Sequence, residues 1–121
     1  MARYLEGLQH PQHALAPRVV YVAVENDSVV GYVAGHLTRR YDCDGELQWI
    51  YVVAEHRRRR VGSELVRMLA SWFANQKASR ICVNVAPANA RARSFYTRQG
   101  AENLNEHWMV WSEINVVLEK R

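Results

Sequence analysis

The stretch VVAEHRRRRVGSEL, residues 52–65, decides how this chain is read. Ahead of it, ELQWIYVVA (46–54) is rich in β-branched and aromatic residues, which predicts a strand. After it the period changes: Val61, Leu65, Met68, Leu69, Trp72 and Phe73 fall on one helical stripe, which predicts a helix from Arg60 to about Lys77. Arg57, Arg58, Arg59 and Arg60 therefore stand between a strand and a helix start. A helix N-terminus leaves about four backbone N–H groups unpaired and carries roughly half a positive charge, so anions bind there. Four guanidinium groups add mobile charge, and Gly62 lets a ligand come close to the backbone. On charge alone, a solvated basic loop or a nucleic-acid patch is the better explanation of the run. A duplex-binding patch is expected to spread along a helix face, however, and here the charge sits at one helix start. It is not a Walker loop, because GxxxxGK[ST] is absent.

Outward from this junction the elements follow in order. ARYLEGLQH has helical spacing at Tyr4, Leu5 and Leu8 and stops at Pro11. RVVYVAVEN (18–26) and VVGYVAGHLTRR (29–40) are strands, with a turn at NDS, so a hairpin is expected. YDCDG is a loop. RICVNVA (80–86) is a short apolar strand of the kind buried at a sheet centre, ended by Pro87. Asn89 is a good N-cap for ARARSFYTRQ, and Gly100 suits the position after a helix. AENL and HWMVW read as two short strands, and Ser112 as the cap of a last helix, EINVVLEKR, with Lys120 and Arg121 near its end; the alternation of Ile114, Val116 and Leu118 leaves a strand there as the alternative. The expected fold is mixed α/β on one sheet, a single domain over residues 1–121.

The chain has 121 residues, 49% of them apolar, enough for one domain with a real core and too ordered in composition for a disordered segment. It lacks an apolar run of about 18 residues and a basic-then-apolar leader, so neither a membrane span nor secretion is expected. Of the two cysteines, Cys82 lies in an apolar run and Cys43 in a polar one. Their settings give no reason to pair them, and reduced thiols in a cytoplasm are the expectation. The formal charge of +4 permits an anionic ligand or nucleic acid without choosing between them. The five histidines show no metal-ligand spacing, and no metal is expected.

The arginine stretch resembles the phosphate-binding signature of the GNAT superfamily of acyl-CoA N-acyltransferases, [QR]-x-x-G-x-[GA], here Arg57-Arg58-Arg59-Arg60-Val61-Gly62. A second segment, NARARSFYTRQGAE, looks like the family's N-x-x-A-x-x-[FL]-Y-x-x-x-G-[FA], matched at Asn89, Ala92, Phe95, Tyr96, Gly100 and Ala101. The resemblance covers about residues 18 to 111. It implies a largely antiparallel mixed sheet with a central splayed strand pair, flanked by helices. It departs from the family at Arg60, where a glycine is usual and where a helical φ is expected to accept arginine. It departs also in length, since only 17 residues precede the hairpin. A homodimer is expected that covers the sheet edge left open there or completes the acceptor cleft.

The resemblance implies acetyl-CoA as co-substrate and a primary amine, of a small molecule or a peptide, as acceptor. The pantetheine arm would pair with Ile50, Tyr51 and Val52, and the N–H of Ile50 or Val52 would polarise the thioester carbonyl. Arg57 to Gly62, with Ser63 and Asn89, would hold the phosphate end. Glu46, eleven residues before Arg57, stands at the offset of the family's catalytic glutamate and would take the amine's proton. By the two-residue period it shares a face with Gln48 and Ile50. Its alternative role is to open the strand at a wet edge. Tyr96 stands where the family has its general acid for the leaving thiolate; its alternative is a helix tyrosine at the edge of the core. Asp42, Asp44 and Glu46 would attract a cationic acceptor or form an ordinary polar turn. The tryptophans, Trp49, Trp72, Trp108 and Trp111, read as core or interface. Two other functions compete: a non-catalytic acyl-CoA-binding module, and a nucleic-acid-binding protein that uses the arginines.

Overall fold

The computed structural model describes residues 2–5, 15–57 and 60–119. Seven strands form one sheet in the order β1-β2-β3-β4-β5-β7-β6. They are β1 (Ala2–Leu5), β2 (Leu15–Glu25), β3 (Ser28–Leu37), β4 (Gly45–Val52), β5 (Ile81–Asn84), β6 (Glu102–Asn105) and β7 (Trp108–Trp111). The helices are α1 (Val61–Asn75), α2 (Ala90–Arg98) and α3 (Asn115–Glu119). Every pairing is antiparallel except that of β4 with β5.

The hairpin forms as read. Glu25 pairs with Ser28 across Asn26 and Asp27, whose φ of 51° and 64° make the two-residue mirror-image turn that matches strand twist. The helical stripe also holds: Leu65, Leu69 and Phe73 bury against Val33, Leu47 and Ile81. At Gly45 a Cβ would collide with the Phe73 ring, so the close approach of α1 to the sheet depends on a bare α-carbon there. Gly100, with φ 102°, ends α2 in a conformation that glycine accepts freely.

Three expectations are corrected. Residues 2–5 form a strand, not the first turn of a helix. Four residues carry too little helical signal to outweigh pairing with β2, where Tyr4 lies opposite Tyr21; the remainder of that expected helix lies outside the described residues. The edge of β2 expected to be open is therefore occupied by β1. The last helix starts at Asn115, later than a Ser112 cap would set it, and its first N–H donates to the Glu113 carboxylate at 3.2 Å; Lys120 and Arg121 lie outside the described residues. Arg67 of α1 donates to the carbonyls of Val117 (3.1 Å) and Leu118 (3.5 Å), so the end of α3 is tied to α1.

Candidate functional site

The parallel ladder of β4 and β5 stops at Leu47 opposite Val83. Beyond that pair the strands part, and a cavity of about 440 Å³ opens between Ile50–Val52 and Asn84–Ala86. Gly62 of α1 and Ala92, Phe95 and Tyr96 of α2 form further walls. The expected splayed strand pair is therefore present, with a cavity in the splay.

One hydrogen bond fixes which backbone groups face it. The Val53 N–H donates to the Val30 carbonyl at 2.9 Å, with Gly31 opposite Val52. In an antiparallel ladder that bond makes Gly31 and Val52 a pair whose own N–H and C=O groups point away from each other. Alternation gives Ile50, opposite Val33, the same orientation. Ile50 and Val52 thus turn their N–H and C=O groups into the splay, whereas those of Tyr51 face Tyr32. The Val52 carbonyl is partly engaged, since it accepts from Arg57 Nε at 3.0 Å. The Arg57 guanidinium lies 5.9 Å from the centre of the Tyr51 ring.

α1 begins beside this cavity. Its N-cap residue is Arg60, and no side chain caps the first turn, so the Val61, Gly62 and Ser63 amides open the helix without a side-chain acceptor. Arg60 has φ 65° and ψ 12°. The helical φ expected there is corrected: the backbone is left-handed, the conformation for which the usual glycine is suited and which strains a residue with a Cβ. Arg58 and Arg59 lie outside the described residues. Gly62 lines the cavity, and a Cβ on it would lie 3.3 Å from the Phe95 ring, so it is also the point where α1 and α2 pack. The Ser63 hydroxyl accepts from Gln99 Nε2 at 3.0 Å. Asn89 lines the cavity too, and its Oδ1 accepts from the Ala92 N–H at 3.1 Å, the expected cap.

Tyr96 is buried and packs edge-on against Trp111 and Phe95. Burial pushes its phenol up from 10 to about 12, because the phenolate would be poorly solvated. The phenol is neutral throughout the ordinary pH range and stands ready as a hydrogen-bond donor.

Glu46 is not brought into this cavity. It pairs with Cys82 on β5 at the closed end of the splay and with His36 on β3. The expected face-sharing of Glu46 with Ile50 is corrected. Between Gly35–Leu47 and Ala34–Trp49 the register slips by one, so Gln48 is an extra residue in β4. The bulge inverts the alternation. Gly45 and Leu47 face α1, as do Ile50 and Val52 beyond the bulge, while Glu46, Trp49 and Tyr51 share the other side. There Glu46 is buried; Arg40 Nε donates to its Oε1 at 3.3 Å, and His36 Nε2 lies 3.9 Å from the same oxygen. Arg40 is in turn stacked 4.8 Å from the centre of the Trp108 ring.

The acidic cluster separates into different roles. Asp44 Oδ2 accepts from the N–H groups of Ser79 (2.9 Å) and Arg80 (3.0 Å) and so anchors the start of β5. The Arg80 N–H, ahead of those of Ser79, holds its carboxyl below the usual carboxylate range. Asp42 is exposed. Cys43 and Cys82, for which no pairing was expected, are free thiols in one small buried cluster with Trp108 and Val110, and burial pushes both thiols up. Trp72, Trp108 and Trp111 are buried as expected, while Trp49 is 53% exposed. Among the described residues no group of three or more potential ligands is placed to hold a metal, and no helix is long and apolar enough to cross a membrane.

Arg91 and Arg98 also line the cavity and were not singled out in the sequence. The signal was there: on the helical period Arg91 and Arg98 lie four residues before and three after Phe95, on the same side of α2 as that ring.

Comparison with known proteins bears on these features together. Residues 2–101 match the model of the Acetyltransferase (GNAT) family. An uncharacterized N-acetyltransferase of Bacillus subtilis (strain 168), YobR, is 35% identical over 63 residues, 52% of this chain and 26% of that protein. The chain thus spans about a quarter of that relative. Among solved structures, the PaiA N-acetyltransferase of Thermoplasma acidophilum in complex with coenzyme A superposes with a TM-score of 0.67 at 14% identity, over 79% of this chain and 60% of that one. The aminoglycoside N-acetyltransferase AAC(6')-Iy in complex with CoA gives 0.68 at 19% identity, over 73% and 70%. At these identities the two structures speak for the fold alone; the family match covers most of the sequence, both signatures included, and the chain belongs to the acetyltransferase (GNAT) family.

Proposed function

We propose that this protein transfers an acetyl group from acetyl-CoA to a primary amine of a small molecule or peptide. The observation that carries the reading is the splay: backbone groups of Ile50 and Val52 turned into it from one wall, Tyr96 on another, and the start of α1, without a side-chain cap, at its mouth. Both structural neighbours described above are named as CoA complexes, which supports the same ligand here.

In this reading Ile50 and Val52 pair with the pantetheine arm, and the Ile50 N–H polarises the thioester carbonyl. One such donor is commonly worth about 3 kcal/mol. Tyr51 contributes its side chain only. The first-turn amides of Val61, Gly62 and Ser63 hold the phosphates, and Arg57, Arg58, Arg59 and Arg60 supply positive charge to them; Arg91 and Arg98 add charge inside the cavity. Asn89 keeps α2 in place as its cap and borders the site. Tyr96 donates to the leaving sulfur. Full transfer from a phenol near 12 to a thiolate of reference pKa about 8.5 is uphill by about 3.5 units, or roughly 5 kcal/mol, so its donation is a hydrogen bond that stabilises the leaving thiolate. Glu46, on the opposite side of the sheet, receives the proton of an acceptor that enters from that side.

The cytoplasm is the proposed location, supported by two thiols that stay free while packed together. A homodimer is kept as part of the proposal. Its support is now the exposed Tyr32, Trp49 and Tyr51 rather than an open sheet edge; sedimentation as a monomer at tens of micromolar protein would contradict it. The test of the function is release of free thiol from acetyl-CoA over a panel of amines, polyamines, aminoglycosides and peptides. Release that depends on one class of amine supports the reading; none above the blank with any of them overturns it.

A further inference from the structure

His36 is 1% exposed and sits in β3 opposite Glu46. Its Nδ1 lies 2.8 Å from the Leu37 carbonyl oxygen. A carbonyl oxygen only accepts, so Nδ1 carries the hydrogen. In the neutral ring Nε2 is then bare, and it faces Glu46 Oε1 at 3.9 Å. Two acceptors point at each other across a gap that one proton would make complementary. The distance is too long for a hydrogen bond as it stands. Closing it by about one ångström, or placing one water between the two atoms, makes the bond.

Arg40, Arg18 and Cys82, the neighbours of this pair, offer no other site for that proton. Arg40 Nε occupies the same Glu46 oxygen at 3.3 Å and holds the carboxylate in place, but a guanidinium cannot take up a proton. Arg18 is the register partner of His36 on β2 and is likewise a fixed cation. Cys82, opposite Glu46 on β5, is a buried thiol pushed well above its usual range and so stays protonated. Bare Nε2 is the proton-accepting nitrogen that faces the carboxylate.

We propose that His36 is the positioning partner of Glu46: its bare Nε2 receives, through the Glu46 carboxylate, the proton that the acceptor ammonium gives up. This rests on the acetyltransferase reading above, in which Glu46 is the base. The step balances without a further reactant. The ammonium N–H bond breaks and leaves a neutral amine; the proton passes by way of the carboxylate; a new N–H bond forms at Nε2. One positive charge moves from substrate to imidazole, where the adjacent carboxylate stabilises it.

Two readouts test this on the full chain. The first needs no activity: ¹⁵N shifts of the imidazole rings at neutral pH, with His36 assigned by its loss in His36→Asn. The expected tautomer has hydrogen on Nδ1 and a bare Nε2; hydrogen on Nε2 alone overturns the proposal. The second is the pH profile of kcat/KM for wild type and His36→Asn, with acetyl-CoA and the amine of the panel turned over fastest. Asparagine keeps a donor near the Nδ1 position and removes the proton site. A loss of at least 10-fold near pH 7 is expected. It should shrink toward wild type by about pH 10, where the amine, of reference pKa about 10.4, is losing its proton unaided. A loss of equal size at every pH marks a purely structural role and overturns the proposal, as does full rate at every pH. Thiol release by wild type with the reversed tautomer refutes this inference alone. No thiol release from wild type refutes the acetyltransferase reading, and this inference falls with it.

Discussion

Arg60→Gly should make the protein more stable although it deletes a side chain. Arg60 holds φ 65° and ψ 12° at the N-cap of α1. A left-handed conformation costs a residue with a Cβ roughly 1–2 kcal/mol. Glycine is free of that strain but makes the unfolded chain more flexible, which takes back about 0.4–1 kcal/mol. The Arg60 side chain is exposed and its place as N-cap is held by its backbone, which accepts from the Glu64 N–H at 3.0 Å. Losing the side chain therefore removes little packing. The net gain should be about 0.5–1 kcal/mol, or about 2–5 °C in melting temperature for a chain of this size. Arg60→Ala is the control: it removes the same charge but keeps the Cβ and its strain. The assay is urea denaturation of the three proteins side by side, with no nucleotide present. Glycine should exceed alanine by about 1 kcal/mol. Equal stability of the glycine and alanine variants would refute the argument from backbone strain.

Three further outcomes are expected. Gly62→Ala should weaken acetyl-CoA binding by about 10-fold in calorimetry, because the new methyl is 3.3 Å from the Phe95 ring and must displace a cavity wall; unchanged affinity would contradict this. Tyr96→Phe should lower turnover by roughly 10²-fold with acetyl-CoA affinity nearly unchanged. With the phenol near 12 rather than its reference 10, a descending limb from Tyr96 should be absent below about pH 11, and a wild-type limb near pH 9 that vanishes in the variant would count against it. Asp44→Ala should destabilise by about 1 kcal/mol at pH 7, since two backbone N–H groups lose their acceptor. The carboxyl is held below its unfolded value, so its contribution is present above the unfolded pKa of about 3.9 and fades as pH falls through the lower, folded one. The gap between wild type and variant should narrow at pH 3; an equal gap at pH 3 and pH 7 would contradict the assignment.

Much of this was legible in the sequence because it is local. The stripe from Val61 to Phe73, the Asn89 cap and the glycine at position 100 are each specified within a few residues, and they place the cavity between α1, α2 and the end of β4. What failed was non-local or lay in a single dihedral. The bulge at Gln48 is invisible in ELQWIYV, since β-branched and aromatic residues suit either face, and one extra residue inverts the assignment of Glu46 and Ile50. Arg60 was read as helical because nothing in its neighbours reveals the sign of φ. The strand at residues 2–5 depends on β2, and the meeting of His36 with Glu46 depends on the register of β3 against β4. Cys43 and Cys82 come together only because β5 crosses back beside β4.

The claim on which the rest depends is that the splay of β4 from β5 takes acetyl-CoA with its phosphates at the start of α1. A ¹H–¹⁵N spectrum of the protein titrated with acetyl-CoA tests it most directly. The amides of Ile50, Val52, Val61, Gly62 and Ser63 should shift together and saturate, while those of the β1–β2 pair stay in place. Shifts confined to surface arginines, or no shifts at millimolar acetyl-CoA, would contradict it.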